Sequence, residues 1–564
     1  MRWRCVFLLA VAPCLQTAMF PAAAEQIPAA PNSNAAVERL LDRIAARERS
    51  LLEILSKAAP MVETYIQETP DAADPEGHPI RDLYFLGRFS LPGTVVYQPL
   101  VERTAADPVK AGRHLLPLPR AARSAEAAHP PMVFLPRGFA QMTIPDLTGF
   151  DRQNYSFQYI RREFLGEVRC LVFDVAPRPR NEPGRFVGRI WVEDRDDSVV
   201  RFNGTYVPAP THKGAVPEHY FHFDSWRVNA APGVWVPAQI YIEEGGAPGG
   251  VPRFKAQTRI WDVAAAPAGK LDELTKMLIE GDAVDDGQAA PTDVSPLESQ
   301  RAWERQAEEN LLSRLESGGF LAPPGPVDQV LDTVVQNLIA SAQLNVEAHC
   351  RVLLTTPIET FTIGRTIVIS RGLIDVLPDE SSLAVMLAGE LAHIALGHRT
   401  PTQFAFRNQT MLTDAELLQR VHFERSATEL LEASRRTIEI MRASPYQKTA
   451  NAGLFLKALR SREAALPNLL AANIGNQVAN AEALNRLADF TASAPDVQED
   501  KLDQIAALPV GSRVKMNPWT NRLELVKTRP IVLLSPREKM SFEVTPFVLY
   551  LTRVEASAAS APVP

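Results

Sequence analysis

The sequence has little cysteine, no net positive charge and no long hydrophobic run after its first residues. Four cysteines occur in 564 residues, and two of them lie within the first 14 positions, so a disulfide-stapled scaffold is excluded. The remaining pair, Cys170 and Cys350, each sit in an apolar strand pattern, which favours buried free thiols. A formal charge of −7 without a basic stripe disfavours nucleic acid as a partner.

The N-terminal residues have the pattern of a secretory signal peptide. A basic start and an apolar stretch lead to Ala22–Ala24, a small-residue cleavage site before Glu25. Pro13 interrupts an apolar run that is already short for a bilayer span, which disfavours a membrane anchor. We therefore expect a cleavable signal peptide over 1–24 and a periplasmic or secreted protein.

The length of the chain predicts several domains. Hydrophobic periodicity and turn signals predict an α+β multidomain protein, in which an antiparallel β half-barrel-like domain precedes a mainly helical domain. The expected segments are a helical N-terminal segment (25–80), the β-rich domain (81–263), a linker with a charged helix (264–325), the helical domain (326–460), a helical then β C-terminal segment (461–555) and a disordered tail (556–564).

Successive strands are the main feature of the β-rich domain. Alternating segments at 168–175, 184–194, 198–207, 218–228, 233–244 and 253–263 are separated by turns such as 194–197 and 245–250. The rhythm of FLGEVRCLVFDVAP and GRFVGRIWVEDRDDSVVRFNGTY resembles the periplasmic lipoprotein-sorting proteins, a half-barrel family that carries acyl chains. This resemblance implies lipid or lipoprotein binding and brings no catalytic motif.

The segment LAGELAHIALGH (387–398) is close to a zinc-peptidase motif. Two histidines at i and i+4 lie about 40° apart around a helix, so both can face one metal. The glutamate after the first histidine serves as general base on a metal-bound water. Here the first histidine position is Gly389, whereas Glu390 and His393 are present.

The surrounding residues are similar to the core of the HtpX- and BepA-like zinc metallopeptidases, which are gluzincins. The similarity covers 326–460 and includes Ser370–Leu373, Asp379-Glu380, Leu383–Ala388 and His398-Arg399. It implies a peptidase fold with zinc as cofactor, a polypeptide or envelope protein as partner, Glu390 as general base and His393 as a metal ligand.

Three positions depart from the family pattern. Gly389 stands at the first ligand, and the resemblance places the third ligand on Leu430 and its supporting acid on Ser434. Zinc affinity comes from several ligands acting together, and a single imidazole does not provide them. We therefore expect that the zinc site is degenerate and that no zinc is bound.

Other residues are alternative ligands for a rebuilt site. Glu429 is one residue from the expected ligand, and one residue rotates a helical side chain by about 100°. His422 and Glu424 lie on the connecting segment. His398, at i+5 from His393, is expected to point away from the same metal and, like Arg399, to be structural.

Two further groups of residues are candidate metal sites. Glu390 and His393 also have the i, i+3 spacing of carboxylate-bridged di-metal bundles, but no second such pair occurs. Glu218, His219, His222 and Asp224 cluster on one expected strand, where a half-exposed sheet face is favoured over a metal site.

The sequence is consistent with three functions. The first is a non-catalytic binding or envelope quality-control protein, in which an extended peptide adds to an exposed strand edge near 366–370. The second is an active zinc endopeptidase with a rebuilt metal site. The third is lipid or lipoprotein binding by the β domain, which an apolar cavity would favour and a filled core would disfavour.

Overall fold

The structure is a computed structural model. It describes residues 33–70, 78–104, 134–179, 183–208, 220–247, 251–264, 296–401, 405, 413–478, 485–498, 510–527 and 542–554. The expected signal peptide (1–24) and the tail (556–564) lie outside these ranges. In the part of the chain that is described, no helix combines the length and apolar character needed to cross a membrane.

Ten antiparallel strands form one large open sheet in the N-terminal half. The strands are β1 Met61–Thr69, β2 Arg81–Ser90, β3 Val96–Arg103, β4 Tyr155–Leu165, β5 Val168–Pro177, β6 Phe186–Glu193, β7 Val199–Tyr206, β8 Phe223–Ala231, β9 Val234–Ala247 and β10 Val251–Trp261. Their order is β3-β2-β1-β10-β9-β8-β7-β6-β5-β4. Because β3 and β4 are both edges, the sheet is not closed into a barrel.

Helix α1 (Ser33–Ala58) and the short helix α2 (Pro136–Gln141) pack against one face of this sheet. Leu41, Ile44 and Leu55 of α1 are buried there, as the amphipathic pattern predicts. Glu48 of α1 accepts a bidentate pair from the buried Arg227 at 2.6 and 2.8 Å, which fixes the helix to the sheet.

The expected start of the sheet at residue 81 is wrong, because β1 lies within the segment assigned as helical. Thr64 and Gln67 are buried in β1, and polar residues at buried positions weaken the apolar alternation that reveals a strand. The six strands expected from the sequence correspond to β5–β10. Cys170 and Cys350 are both buried free thiols, which confirms that expectation.

The second half of the chain is mainly helical and contains a small sheet. The helices are α3 Pro296–Ser317, α4 Pro326–Ser341, α5 Arg371–Val376, α6 Glu380–Ala395, α7 Asp414–Arg420, α8 Ala427–Ala443, α9 Asn451–Arg462, α10 Pro467–Leu470 and α11 Ala488–Ser493, with 3-10 turns at Pro445–Lys448 and Val510–Arg513. The strands are β11 His349–Leu353, β12 Glu359–Ile363, β13 Thr366–Ser370, β14 Asn476–Gln477 and the hairpin β15 Val514–Met516 and β16 Leu523–Leu525.

The two halves share one hydrophobic core. The charged helix α3, expected as part of a linker, buries Leu311 and Leu315 in that core. Across the boundary, Glu63 of β1 accepts hydrogen bonds from the Thr356 backbone N–H at 2.6 Å and hydroxyl at 2.7 Å. Buried contacts of this kind fix the large sheet against the helical region.

Candidate functional site

Helix α6 carries the zinc-peptidase-like segment and has a well-formed cap at each end. The Asp379 carboxylate accepts the backbone N–H of Ser382 at 2.9 Å, as an N-cap should. At the other end, Gly397 has φ +71° and donates to Ile394 O, while His398 N donates to His393 O at 3.1 Å. This Schellman motif turns the chain back over the last turn of the helix.

Gly389 is a solvent-accessible position in the middle of helix α6. Every residue from Ser381 to His393 is buried except Gly389, which is partly exposed. Apart from the backbone of its own helix, a Cβ built on Gly389 would meet no atom of the described residues within 4 Å. The position of the first ligand therefore faces open space on the surface of α6.

Glu390 is buried and held through one oxygen. Its Oε1 accepts the Thr360 hydroxyl at 2.7 Å and the Asn476 side-chain amide at 3.4 Å. Its Oε2 is buried without a partner among the described residues. Desolvation raises the pKa of this carboxyl, against the opposing effects of the Thr360 hydrogen bond and the Arg425 charge.

His393 is 3% exposed and is oriented by a second histidine. Its Nδ1 lies 2.8 Å from Nδ1 of His398, whose Nε2 lies 3.3 Å from a carboxylate oxygen of Glu432. Desolvation, with the nearby charges of Arg425 and His398, lowers the pKa of His393 to about 3, so the ring is neutral at pH 7.

The expectation that His398 points away from His393 is wrong. It assumed that the helix continues to residue 398, where i+5 spacing would separate the two rings by about 140°. The helix instead ends at Ala395, and the left-handed Gly397 brings the ring of His398 back onto that of His393. Arg399 follows His398 in the chain. The side chain of Arg399 is 79% exposed, and only its backbone carbonyl takes part in the site.

Helix α8 presents no carboxylate at the expected ligand positions. Leu430 offers no donor atom to a metal, and the Ser434 hydroxyl donates to the Leu430 carbonyl of its own helix at 2.6 Å. Two of the alternative ligands make other contacts. Glu429 closes the capping box of α8 with Ser426, and the exposed His422 ring lies 2.9 Å from Gln419 O.

The donor set at this place does not fit zinc. A zinc site needs at least three protein ligands that converge on one point. His393 is one imidazole, whereas Gly389 and Leu430 contribute nothing, and His398 engages His393 itself. Within the described ranges, no group of three or more His, Cys, Asp or Glu side chains is arranged to hold a metal ion.

Three residues that the motif does not include complete the site. Thr360 of β12 and Asn476 of β14 hold Glu390, and Arg425, immediately before α8, donates its backbone N–H to Asn476 Oδ1 at 3.0 Å. The residues at 425 and 476 come from segments far from α6 in sequence. Thr360 lies in the alternating stretch ETFTI (359–363), whose strand pattern is the signal that could have identified it.

The expected free strand edge near 366–370 is wrong. The sheet order is β11-β13-β12-β14, so β13 is interior and pairs with β11 and β12 on its two sides. The strand nearer to Glu390 is β12, and its outer edge pairs with β14 at Glu359 and Thr360. The chain itself therefore occupies part of the edge where an extended peptide could add.

The described residues of the cluster at 218–224 have the contacts of the sheet face that was favoured for them. Glu218 and His219 lie outside the described residues. His222 pairs with Asn203 Oδ1 at 2.9 Å, and Asp224 forms a bidentate pair with Arg201 at 2.8 and 2.9 Å. These are the ordinary contacts of a partly exposed sheet face.

Comparisons with known proteins identify the helical half of the chain. Residues 327–531 match the family model described as Peptidase family M48, which extends beyond the domain end expected at 460. A search of curated proteins gave no match. Among solved structures, the chain is similar to a LolA superfamily protein from Nitrosomonas europaea, at 14% identity and a TM-score of 0.20, covering 38% of this chain and 90% of that one. Residues 327–531 are thus similar to the M48 peptidase family, and they follow a large antiparallel sheet.

Proposed function

We propose that the M48-type domain is a non-catalytic binding module that recognises unfolded polypeptides of the cell envelope in an exported protein. The observation that carries this proposal is the accessible surface at Gly389 in an otherwise intact scaffold. The helix, its caps and the buried Glu390 are present, while two of the three ligand positions hold Gly389 and Leu430. A surface of this kind can bind a chain without hydrolysing it.

Two exposed leucines lie near the C-terminal end of α6. Leu396 is 42% exposed and lies at i+7 from Gly389, which places both on the same face of α6. Leu431 of α8 is 43% exposed and precedes Glu432, which contacts His398 at the end of α6. Exposed leucines suit the apolar side chains of an unfolded polypeptide.

Binding to a fluorescein-labelled, permanently unfolded protein, followed by anisotropy, tests this proposal. Leu396→Asp and Leu431→Asp should each weaken binding about tenfold, because a charge replaces a buried apolar contact. Leu525→Asp is the matched control, since Leu525 is 48% exposed and lies on the hairpin strand β16. Equal losses in all three variants would contradict the surface at Gly389 as the binding surface.

The alternative function is an active zinc endopeptidase with a rebuilt site. The unpartnered Oε2 of Glu390 favours it, because a general base needs a free oxygen. The same preparation separates the two functions. Hydrolysis of casein that Glu390→Gln abolishes would establish the endopeptidase, whereas unchanged polypeptide binding in Glu390→Gln supports the binding module.

Lipid or lipoprotein binding by the large sheet is the weaker candidate. The face that α1 covers is filled by aromatic side chains, among them Phe186, Phe202 and Phe223, whose rings pack at 5.6 to 6.1 Å. A cavity of about 400 Å³ at the sheet margin is lined by polar groups such as Asp146 and Arg185. A filled core and a polar cavity both suit an acyl chain poorly.

A further inference from the structure

Arg425 is a buried cation inside the site. Its side chain is 3% exposed and lies 3.9 Å from the Glu429 carboxylate. One terminal nitrogen, Nη1, donates to Arg399 O at 2.6 Å, and the other, Nη2, donates to the Thr362 hydroxyl at 2.6 Å. The guanidinium therefore places a positive charge inside the site.

Each hydrogen-bond or ion-pair partner of Arg425 is close in sequence to a residue of the site. Thr362 lies two residues from Thr360, which holds Glu390, so both hydroxyls project from the same face of β12. Arg399 follows His398, which orients His393. Glu429 immediately precedes the ligand position Leu430. The guanidinium is therefore fixed between the three elements that would surround a metal in this scaffold.

Asn476 links Arg425 to Glu390, because it accepts the backbone N–H of Arg425 at 3.0 Å and its side-chain amide lies 3.4 Å from Glu390 Oε1. Between buried groups, charges interact strongly because little water screens them.

We propose that the buried guanidinium of Arg425 replaces the metal as the positive charge of this site and opposes the binding of a divalent cation there. Two features then oppose zinc binding. One is the lack of metal ligands at Gly389 and Leu430, and the other is the fixed charge of Arg425. This inference rests on the proposed function, in which the native site holds no zinc.

Zinc affinity in a background with restored ligands tests the role of the charge. Gly389→His/Leu430→Glu provides the two missing ligands, and residue 425 is then varied as Arg, Lys or Gln. The variant with Arg425→Gln should bind zinc at least tenfold more tightly than the versions with Arg or Lys, as measured by competition with a chromophoric chelator. Lysine keeps the charge and loses the planar fork, so it separates charge from shape. Equal affinity in all three versions would overturn the proposal.

A second pair of variants covers the case in which Arg425→Gln does not fold. In the same two-ligand background, Thr362→Asp places a carboxylate against the guanidinium, whereas Thr362→Asn is its neutral, isosteric control. We expect at least tenfold tighter zinc binding with aspartate, and no difference would overturn the proposal. Stoichiometric zinc in the native protein would instead contradict the proposed function, so the two failures are distinguishable.

Discussion

Arg103 and Asn473 join the large sheet to the peptidase-type domain, with Arg103 Nη2 donating to Asn473 Oδ1 at 2.6 Å. The same guanidinium donates to the carbonyls of Ala471 at 2.7 Å and Ala472 at 2.8 Å. Three residues further along this loop, Asn476 contacts Glu390. The edge strand β3 thus positions the loop that adjoins the candidate site.

Removing this contact should loosen the loop. We expect Arg103→Met to lower the free energy of unfolding by about 2–3 kcal/mol, because several hydrogen bonds from a charged donor are lost. Amide hydrogen exchange over residues 468–477 should become faster than exchange in α6. Arg162→Met, at an exposed position of the opposite edge strand β4, is the control and should leave both quantities unchanged.

Gly389→Ala should stabilise the protein by about 1 kcal/mol, because alanine has the higher helix propensity and the added Cβ meets open space. Urea unfolding measures the difference. Gly453→Ala in helix α9 is the matched control and should destabilise, since its Cβ would lie 2.2 Å from Phe490 O. A destabilising Gly389→Ala would contradict the open space around residue 389.

The C-terminal segment 542–554 is predicted to be essential for the stability of the large sheet. Arg553 Nε donates at 3.0 Å to Glu193, whose side chain is 0% exposed. Arg553→Met should cost about 3 kcal/mol of unfolding free energy, because it leaves a buried carboxylate without its cation. Adding Glu193→Gln should recover part of the loss, whereas a double-variant loss equal to the sum of the single losses would contradict a direct pair.

Asp328 gives a pH-dependent stability that can be measured. Burial raises the pKa of its carboxyl from 3.8 to about 6, so the folded state binds the proton more tightly than the unfolded state. The resulting stabilisation is complete below about pH 4 and is lost as the pH rises through 6. Because the carboxyl keeps some solvent access, we expect Asp328→Asn to gain about 1–2 kcal/mol relative to the native protein between pH 4 and 8. Urea unfolding across that range measures the difference, and a constant difference would refute the shift.

The sequence predicted the parts of the fold that depend on local periodicity. Strands β5–β10, helix α4 and the helix around Glu390 follow from apolar alternation and helix spacing. Strand β1 was assigned to a helical segment because buried polar residues, such as Thr64 and Gln67, interrupt its apolar pattern. Those polar groups find partners elsewhere in the fold, as in the hydrogen bond between Thr64 and Thr258 at 2.9 Å, and one sequence does not reveal such pairs.

The candidate site was predicted where the motif specifies it and missed where long-range contacts complete it. Gly389, Glu390 and His393 could be identified by spacing on one helix. Arg425 and Asn476 could not, because each is brought to Glu390 by the folding of a separate segment. The turn of His398 onto His393 depends on where the helix ends, and helix boundaries are the least certain part of a sequence-based prediction.

The metal content of the purified protein, determined by elemental mass spectrometry, tests the central claim most directly. We predict far less than one zinc per chain, because Gly389 and Leu430 provide no ligands and Arg425 adds a positive charge. Gly389→His measured in parallel should also remain well below one zinc per chain. Near-stoichiometric zinc in the native protein would contradict a non-catalytic binding module and favour a rebuilt peptidase site.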